Sequence, residues 1–143
     1  MQIRYSTGTA FSLSNALYAL NQFPAATKIL RRILKTDPAQ HIAYNLLALI
    51  LRAEGRLADS INTAHRAIAL HGTEPEYWHT LATSCYYAFR YAEAIQAFER
   101  CLELRPNHVE TLSSLFYTKQ MVCAVQECFL CSLMYSLSVC WLC

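Results

Sequence analysis

The sequence predicts an all-α fold, an α-solenoid of stacked helix hairpins. Three observations carry that expectation. The chain resembles itself at a step of 34 residues, apolar residues inside each repeat recur at spacings of three and four, and Gly and Pro number only three and four in 143 residues. A repeat of a few tens of residues is one supersecondary unit that cannot bury its apolar face alone, so successive units stack. Scarce Gly and Pro argue against a loop-rich β architecture. The repeat is seen in columns: Leu13, Leu47, Leu81 and Leu115 form one, and Phe23, Leu57 and Tyr91 a second. Ala26, Ser60 and Ala94 form a column of small residues. Ile33-Leu34, Ala67-Ile68 and Cys101-Leu102 align, and Pro38, Gly72 and Pro106 close each unit.

The first unit spans residues 7–40. Pro24 stands where its second helix should start, a place where the fixed φ suits the first turn and the missing N–H costs nothing. Asp37-Pro38 reads as an N-cap and first helical residue of the next unit. In the second unit, 41–74, Ile42, Tyr44, Leu47, Ala48 and Leu51 mark one buried helix face. Gly55 supplies a residue that tolerates φ > 0 at the helix end. Leu57, Ile61, Ala64, Ala67 and Ile68 mark a second buried face. The third unit, 75–108, carries Phe89 where Gly55 stands, which predicts a strained or shifted turn. The small column lets the two helices of a hairpin approach closely, and Leu30 and Phe98 fill the space beside it. Ala64 holds that large position in the second unit, so packing there is expected to be looser or completed by a neighbour. Val109, Leu112, Leu115 and Phe116 begin the first helix of a partial fourth unit, 109–119.

Composition sharpens the division. Residues 1–119 hold 60 hydrophobic side chains, about half, whereas 120–143 hold 18 of 24, five of the seven cysteines and a single charge, Glu127. Twelve basic against ten acidic residues leave a net charge of +2, which gives no support to a nucleic-acid surface. Polar Ser6, Thr7 and Thr9 interrupt the N-terminus, so no secretory leader is read there. Free thiols in a cytoplasmic setting are the expectation.

These residues resemble the tetratricopeptide repeat family. The third unit carries the pattern best, with Trp78, Leu81-Ala82, Tyr91, Ala94, Phe98, Cys101-Leu102, Leu104 and Pro106-Asn107. The second has Tyr44, Leu47-Ala48, Gly55, Leu57, Ala67-Ile68 and Leu70. The first has Leu13-Ser14, Phe23, Ala26, Leu30, Ile33-Leu34 and Asp37-Pro38, with Ala10 where an aromatic is usual. The resemblance implies a right-handed superhelix whose concave groove, lined by the first helices, binds a peptide or partner helix. Its groove positions fall on Phe11, Asn15, Tyr18, Asn45, Leu49, Arg52, His79, Thr83, Tyr86 and Tyr87. Relatives that clamp the C-terminal carboxylate of heat-shock chaperones use Lys, Asn and Arg on consecutive first helices. Here Asn15 matches one such position, but Phe11, His79 and Thr80 stand where cations are expected. The groove reads instead as aromatic and polar with one Arg, suited to apolar and aromatic peptide contacts. The same residues are also what the half-exposed side of any such helix carries.

A phosphate loop, a metal-binding His motif and a nucleophile elbow are all missing, so the expectation is a non-catalytic scaffold or adaptor with no cofactor and no metal. The five histidines read as solvated helix positions. Arg31, Arg32 and Lys35 read as a solvated outer face. Residues 120–143 leave four readings open. They form a degenerate capping helix, a membrane anchor that would tether the adaptor, or a metal site through Cys128-x-x-Cys131 and Cys140-x-x-Cys143. In the fourth, the abrupt change near residue 119 comes from a splice variant or a read-through frame. Self-association through this apolar stretch is a further expectation.

Overall fold

The computed structural model describes the backbone of residues 7–140 and the side chains of residues 8–126. Every element in it is an α-helix: α1 (Thr7–Ala19), α2 (Phe23–Thr36), α3 (His41–Ala53), α4 (Leu57–Leu70), α5 (Pro75–Tyr87), α6 (Tyr91–Leu104) and α7 (Val109–Cys140). Successive helices pack as hairpins, and successive hairpins stack. The odd-numbered helices touch one another along the stack, α1 on α3, α3 on α5 and α5 on α7, whereas the even-numbered helices, among the described residues, do not. The odd helices therefore form the inner row and the even helices the outer one.

The three hairpin turns are built alike. Asn21, Gly55 and Phe89 each take positive φ, at 57°, 78° and 59°. In each turn that residue's N–H donates to the carbonyl three residues back, Tyr18, Arg52 or Tyr86, at 3.0 Å. The next N–H, of Gln22, Arg56 or Arg90, reaches the carbonyl five residues back, Leu17, Leu51 or Cys85, at 2.8–2.9 Å. This is the Schellman termination, which satisfies the last carbonyls of a helix through one left-handed residue. The expected irregularity at Phe89 is thus strain without a shift. A side chain in this region costs roughly 1–2 kcal/mol, yet the turn keeps its place.

Several sequence expectations need correction. Asp37 does not cap α3. It follows α2, and its carboxylate accepts from the Ala39 N–H at 3.1 Å and from Gln40 Nε2 at 2.7 Å, so α3 starts only at His41, after Gln40. Pro75, in contrast, does open α5. At Gly72, which closes the second unit, a Cβ would lie 3.1 Å from the Ile68 carbonyl oxygen, a tight contact that glycine avoids. Ile42 is 48% exposed, and the buried residues of α3 are Ala43, Leu46, Ala48, Ile50 and Leu51. One helical face was too narrow an expectation because α3 touches α1, α2, α4 and α5.

The core has two clusters that meet at α3. Ala10, Ala26, Leu30, Ile33, Ala43, Leu46 and Ile50 fill the first. Ala48, Ile61, Ala64, Leu81, Ala82, Cys85, Ala94, Ala97 and Phe98 fill the second. Ala64 is fully buried with Leu81, Cys85 and Phe98 in its cluster, so neighbouring helices supply the bulk it lacks. Large buried side chains such as Leu30 and Phe98 contribute about 1.5–3 kcal/mol each. Ser60 of the small column is also fully buried. Its Oγ lies 2.7 Å from the Ala48 carbonyl oxygen and 2.8 Å from Ser84 Oγ, which links α3, α4 and α5.

The expected first helix 109–119 and the stretch after it are one continuous helix. Val109, Leu112 and Phe116, apolar residues that begin it, are exposed. Thr111 and Thr118 are the fully buried residues of this segment. The helix does not turn back after residue 121, so among the described residues no second helix covers the side that one covers in the other units.

Candidate functional site

The inner row gathers the side chains expected to face a groove, but it uses them differently along its length. Phe11 and Leu49 pack against the first core cluster. Tyr18 lies half-buried beside Phe23, with ring centroids 6.0 Å apart, and Asn15 is exposed. Asn45 is half-buried, and its Oδ1 is shielded from solvent with no hydrogen-bond partner. Arg52 Nη1 donates to Thr83 Oγ1 and joins α3 to α5.

His79 belongs to a buried polar chain more than to an open groove. Its Nδ1 lies 2.8 Å from Thr111 Oγ1, which in turn lies 2.8 Å from His108 Nδ1. The Thr111 backbone N–H also donates to His108 Nδ1, at 3.2 Å. One arrangement of protons satisfies all three contacts: His79 Nδ1–H donates to the Thr111 hydroxyl, and that hydroxyl donates to His108 Nδ1. Burial first, and then the neighbouring His108, push the His79 pKa below its ordinary value. The histidines were expected as solvated positions, but only His65 is exposed, and the other four are half-buried. His41 and His71 stack at 4.7 Å between centroids, and His41 Nδ1 lies 2.7 Å from Tyr77 Oη. Burial, followed by Glu74, raises the Tyr77 pKa. Burial likewise raises the Cys85 and Cys101 thiols, which disfavours their thiolates.

Thr83, Tyr86 and Tyr87 do come together. With Ser113, Ser114, Tyr117 and Thr118 of α7, and with Phe98 as the floor, they line a cavity of about 270 Å³. No lining residue carries a formal charge. Tyr86 and Tyr87 meet edge to face at 5.6 Å, and Tyr87 and Tyr117 are 57% and 63% exposed. The cavity therefore offers aromatic faces and hydroxyl groups in one recess, a composition that favours apolar and aromatic contact with a few directed hydrogen bonds. Sequence reasoning missed Ser113 and Tyr117. The repeat marks them, since they stand 34 residues after His79 and Thr83.

Among the described residues no helix is long and apolar enough to cross a membrane. The cysteine pairs proposed as zinc ligands, at 128, 131, 140 and 143, fall outside the described side chains.

Comparison with known proteins agrees with this architecture. Two sequence models described as tetratricopeptide repeat match residues 11–75 and 75–108. A curated relative, the transcription factor tau 131 kDa subunit of Saccharomyces cerevisiae, is 27% identical over 110 residues. That match covers 76% of this chain and 11% of the relative's own length. The first tetratricopeptide repeat domain of Spaghetti (RPAP3), solved with the HSP90 peptide SRMEEVD, superposes with a TM-score of 0.77 at 19% identity. It covers 85% of this chain and 99% of that one. The Sgt2 domain from Aspergillus fumigatus superposes with a TM-score of 0.80 at 20% identity, covering 84% and 81%. The first such domain of human RPAP3 gives 0.79 at 18% identity, covering 82% and 93%.

Proposed function

The chain belongs to the tetratricopeptide repeat family, and from that premise we propose that it is a non-catalytic scaffold that binds a protein partner through an uncharged, apolar or aromatic peptide segment on its inner row. The observation that carries this reading is the cavity between α5 and α7, where Tyr86, Tyr87 and Tyr117 are accompanied by Thr83 and Ser113 and by no charge. Exposed tyrosines clustered in a recess are typical anchors of protein interfaces. Structural neighbours bind chaperone tails such as SRMEEVD, a peptide rich in carboxylates. The equivalent surface here offers few cations: Phe11 packs against the core, Arg52 keeps its charge but is tied to Thr83, and the lowered His79 pKa disfavours its charged form.

Peptide display on the full chain tests the proposal. Selected sequences are expected to be neutral with at least one aromatic residue. Replacing Tyr86→Ala together with Tyr87→Ala is expected to weaken the best of them about tenfold or more. Selection of acidic C-terminal sequences, or affinity unchanged in the double variant, would place the site elsewhere.

A further inference from the structure

The second helix of each hairpin covers one side of the first helix, and in α7 that side is bare among the described residues. Leu112, Phe116, Lys119 and Cys123 follow one another at steps of four, three and four, so they share a face. Leu112 is 47% exposed, Phe116 is 64% exposed, and Lys119 and Cys123 are exposed. Two features keep the chain from covering this face with its own residues. Residue 123 stands 34 positions after Phe89, yet it is helical where Asn21, Gly55 and Phe89 turn the chain. Phe116 occupies the column of Ser14, Ala48 and Ala82, all fully buried, where the two helices of a hairpin approach most closely. A phenylalanine there holds a second helix away at that spacing.

We propose that the face is covered by α7 of a second copy of this chain, running antiparallel, with the twofold axis at Cys123. The sequence is arranged symmetrically about that residue. Position 119 then faces 127 of the other copy, 116 faces 130, 112 faces 134 and 109 faces 137. These pairs read Lys119 with Glu127, Phe116 with Leu130, Leu112 with Met134 and Val109 with Leu137. Lys119 and Glu127 are the only two charged residues from 111 to 143, and they have opposite signs at equal distances from the axis. Positions 127, 130, 134 and 137 continue the same spacing from 123, at steps of four, three, four and three. Among the described residues of one chain Lys119 reaches Glu99, at 3.0 Å, in an exposed pair that exchanges readily. A twofold contact of this kind closes on itself, as most homodimers do. It rests on α7 alone and is independent of what the groove binds.

Sedimentation of the full chain under reducing conditions tests the pairing. The unmodified chain is expected to sediment as a dimer. Lys119→Glu alone and Glu127→Lys alone each place like charges opposite one another twice, and each is expected to dimerise about tenfold more weakly or worse. An equimolar mixture of the two restores both ion pairs and should recover the dimer as a heterodimer. Phe116→Asp, at an exposed position of the single chain, should give a monomer with unchanged helicity. A monomeric unmodified chain, recovery only on lipid vesicles, or variants that dimerise as well alone as when mixed would overturn the proposal.

Discussion

Phe89 is the residue at which the repeat is least comfortable. It holds φ of 59° while its ring is 78% exposed, so its packing returns little for the strained backbone. Phe89→Gly is therefore expected to stabilise the chain by about 1 kcal/mol, after the extra chain entropy of Gly is subtracted. A urea midpoint that stays put or falls would show that the ring's contact with Tyr91, at 6.2 Å, matters more than the strain. His79 gives a pH-dependent counterpart. Its folded pKa lies below the ordinary 6.5, so the folded state binds this proton less readily than the unfolded state does. Its contribution to stability is complete above about pH 6.5 and is lost as the pH falls below that value towards the lowered folded one. His79→Asn keeps a polar atom near Thr111 and should flatten the fall in melting temperature between pH 7 and 5. An unchanged slope would assign the effect to other groups. The strain at Phe89 was legible from its column, because Gly55 names the backbone conformation. The burial of Thr111 was not, since a hydroxyl in an apolar-looking helix gives no sign that two histidines will enclose it.

At the level of helices, the small column is the clearest link from sequence to packing. Ala94 has no exposed surface and sits in the second core cluster with Ala82, Ala97 and Phe98. Ala94→Trp should destabilise the third hairpin by several kcal/mol, since overpacking alone costs about 1–3 kcal/mol and a side chain this large cannot be absorbed by small shifts. Retained helicity and an unchanged melting temperature would mean that α5 and α6 meet elsewhere. The hairpins were readable because each has a breaker, a small column and a helical apolar period. The end of the solenoid was less legible. Leu112, Leu115 and Phe116 match the apolar pattern of a first helix, but that pattern implies burial only if a second helix returns. Phe116 in the small column and a helical Cys123 together account for why α7 runs straight on.

The whole molecule is an inner row of odd helices on which the aromatic recess lies at the α5–α7 step. The repeat made the row legible but could not show which of its residues stay free. Phe11 and Leu49 are drawn into the core, and Arg52 and His79 into bridges between helices, because each first helix must also bind the next one. Only Thr83, Tyr86 and Tyr87 of the expected set reach the recess, where α7 completes it with Ser113 and Tyr117. The most direct measurement is an NMR titration of the isotope-labelled chain with a neutral, aromatic-containing peptide from the display selection, and with SRMEEVD as the contrast. Saturable shifts confined to Thr83, Tyr86, Tyr87, Ser113 and Tyr117 are expected with the neutral peptide, and none of that size with SRMEEVD. Shifts spread over the outer helices, or tighter binding of SRMEEVD at the inner row, would contradict it.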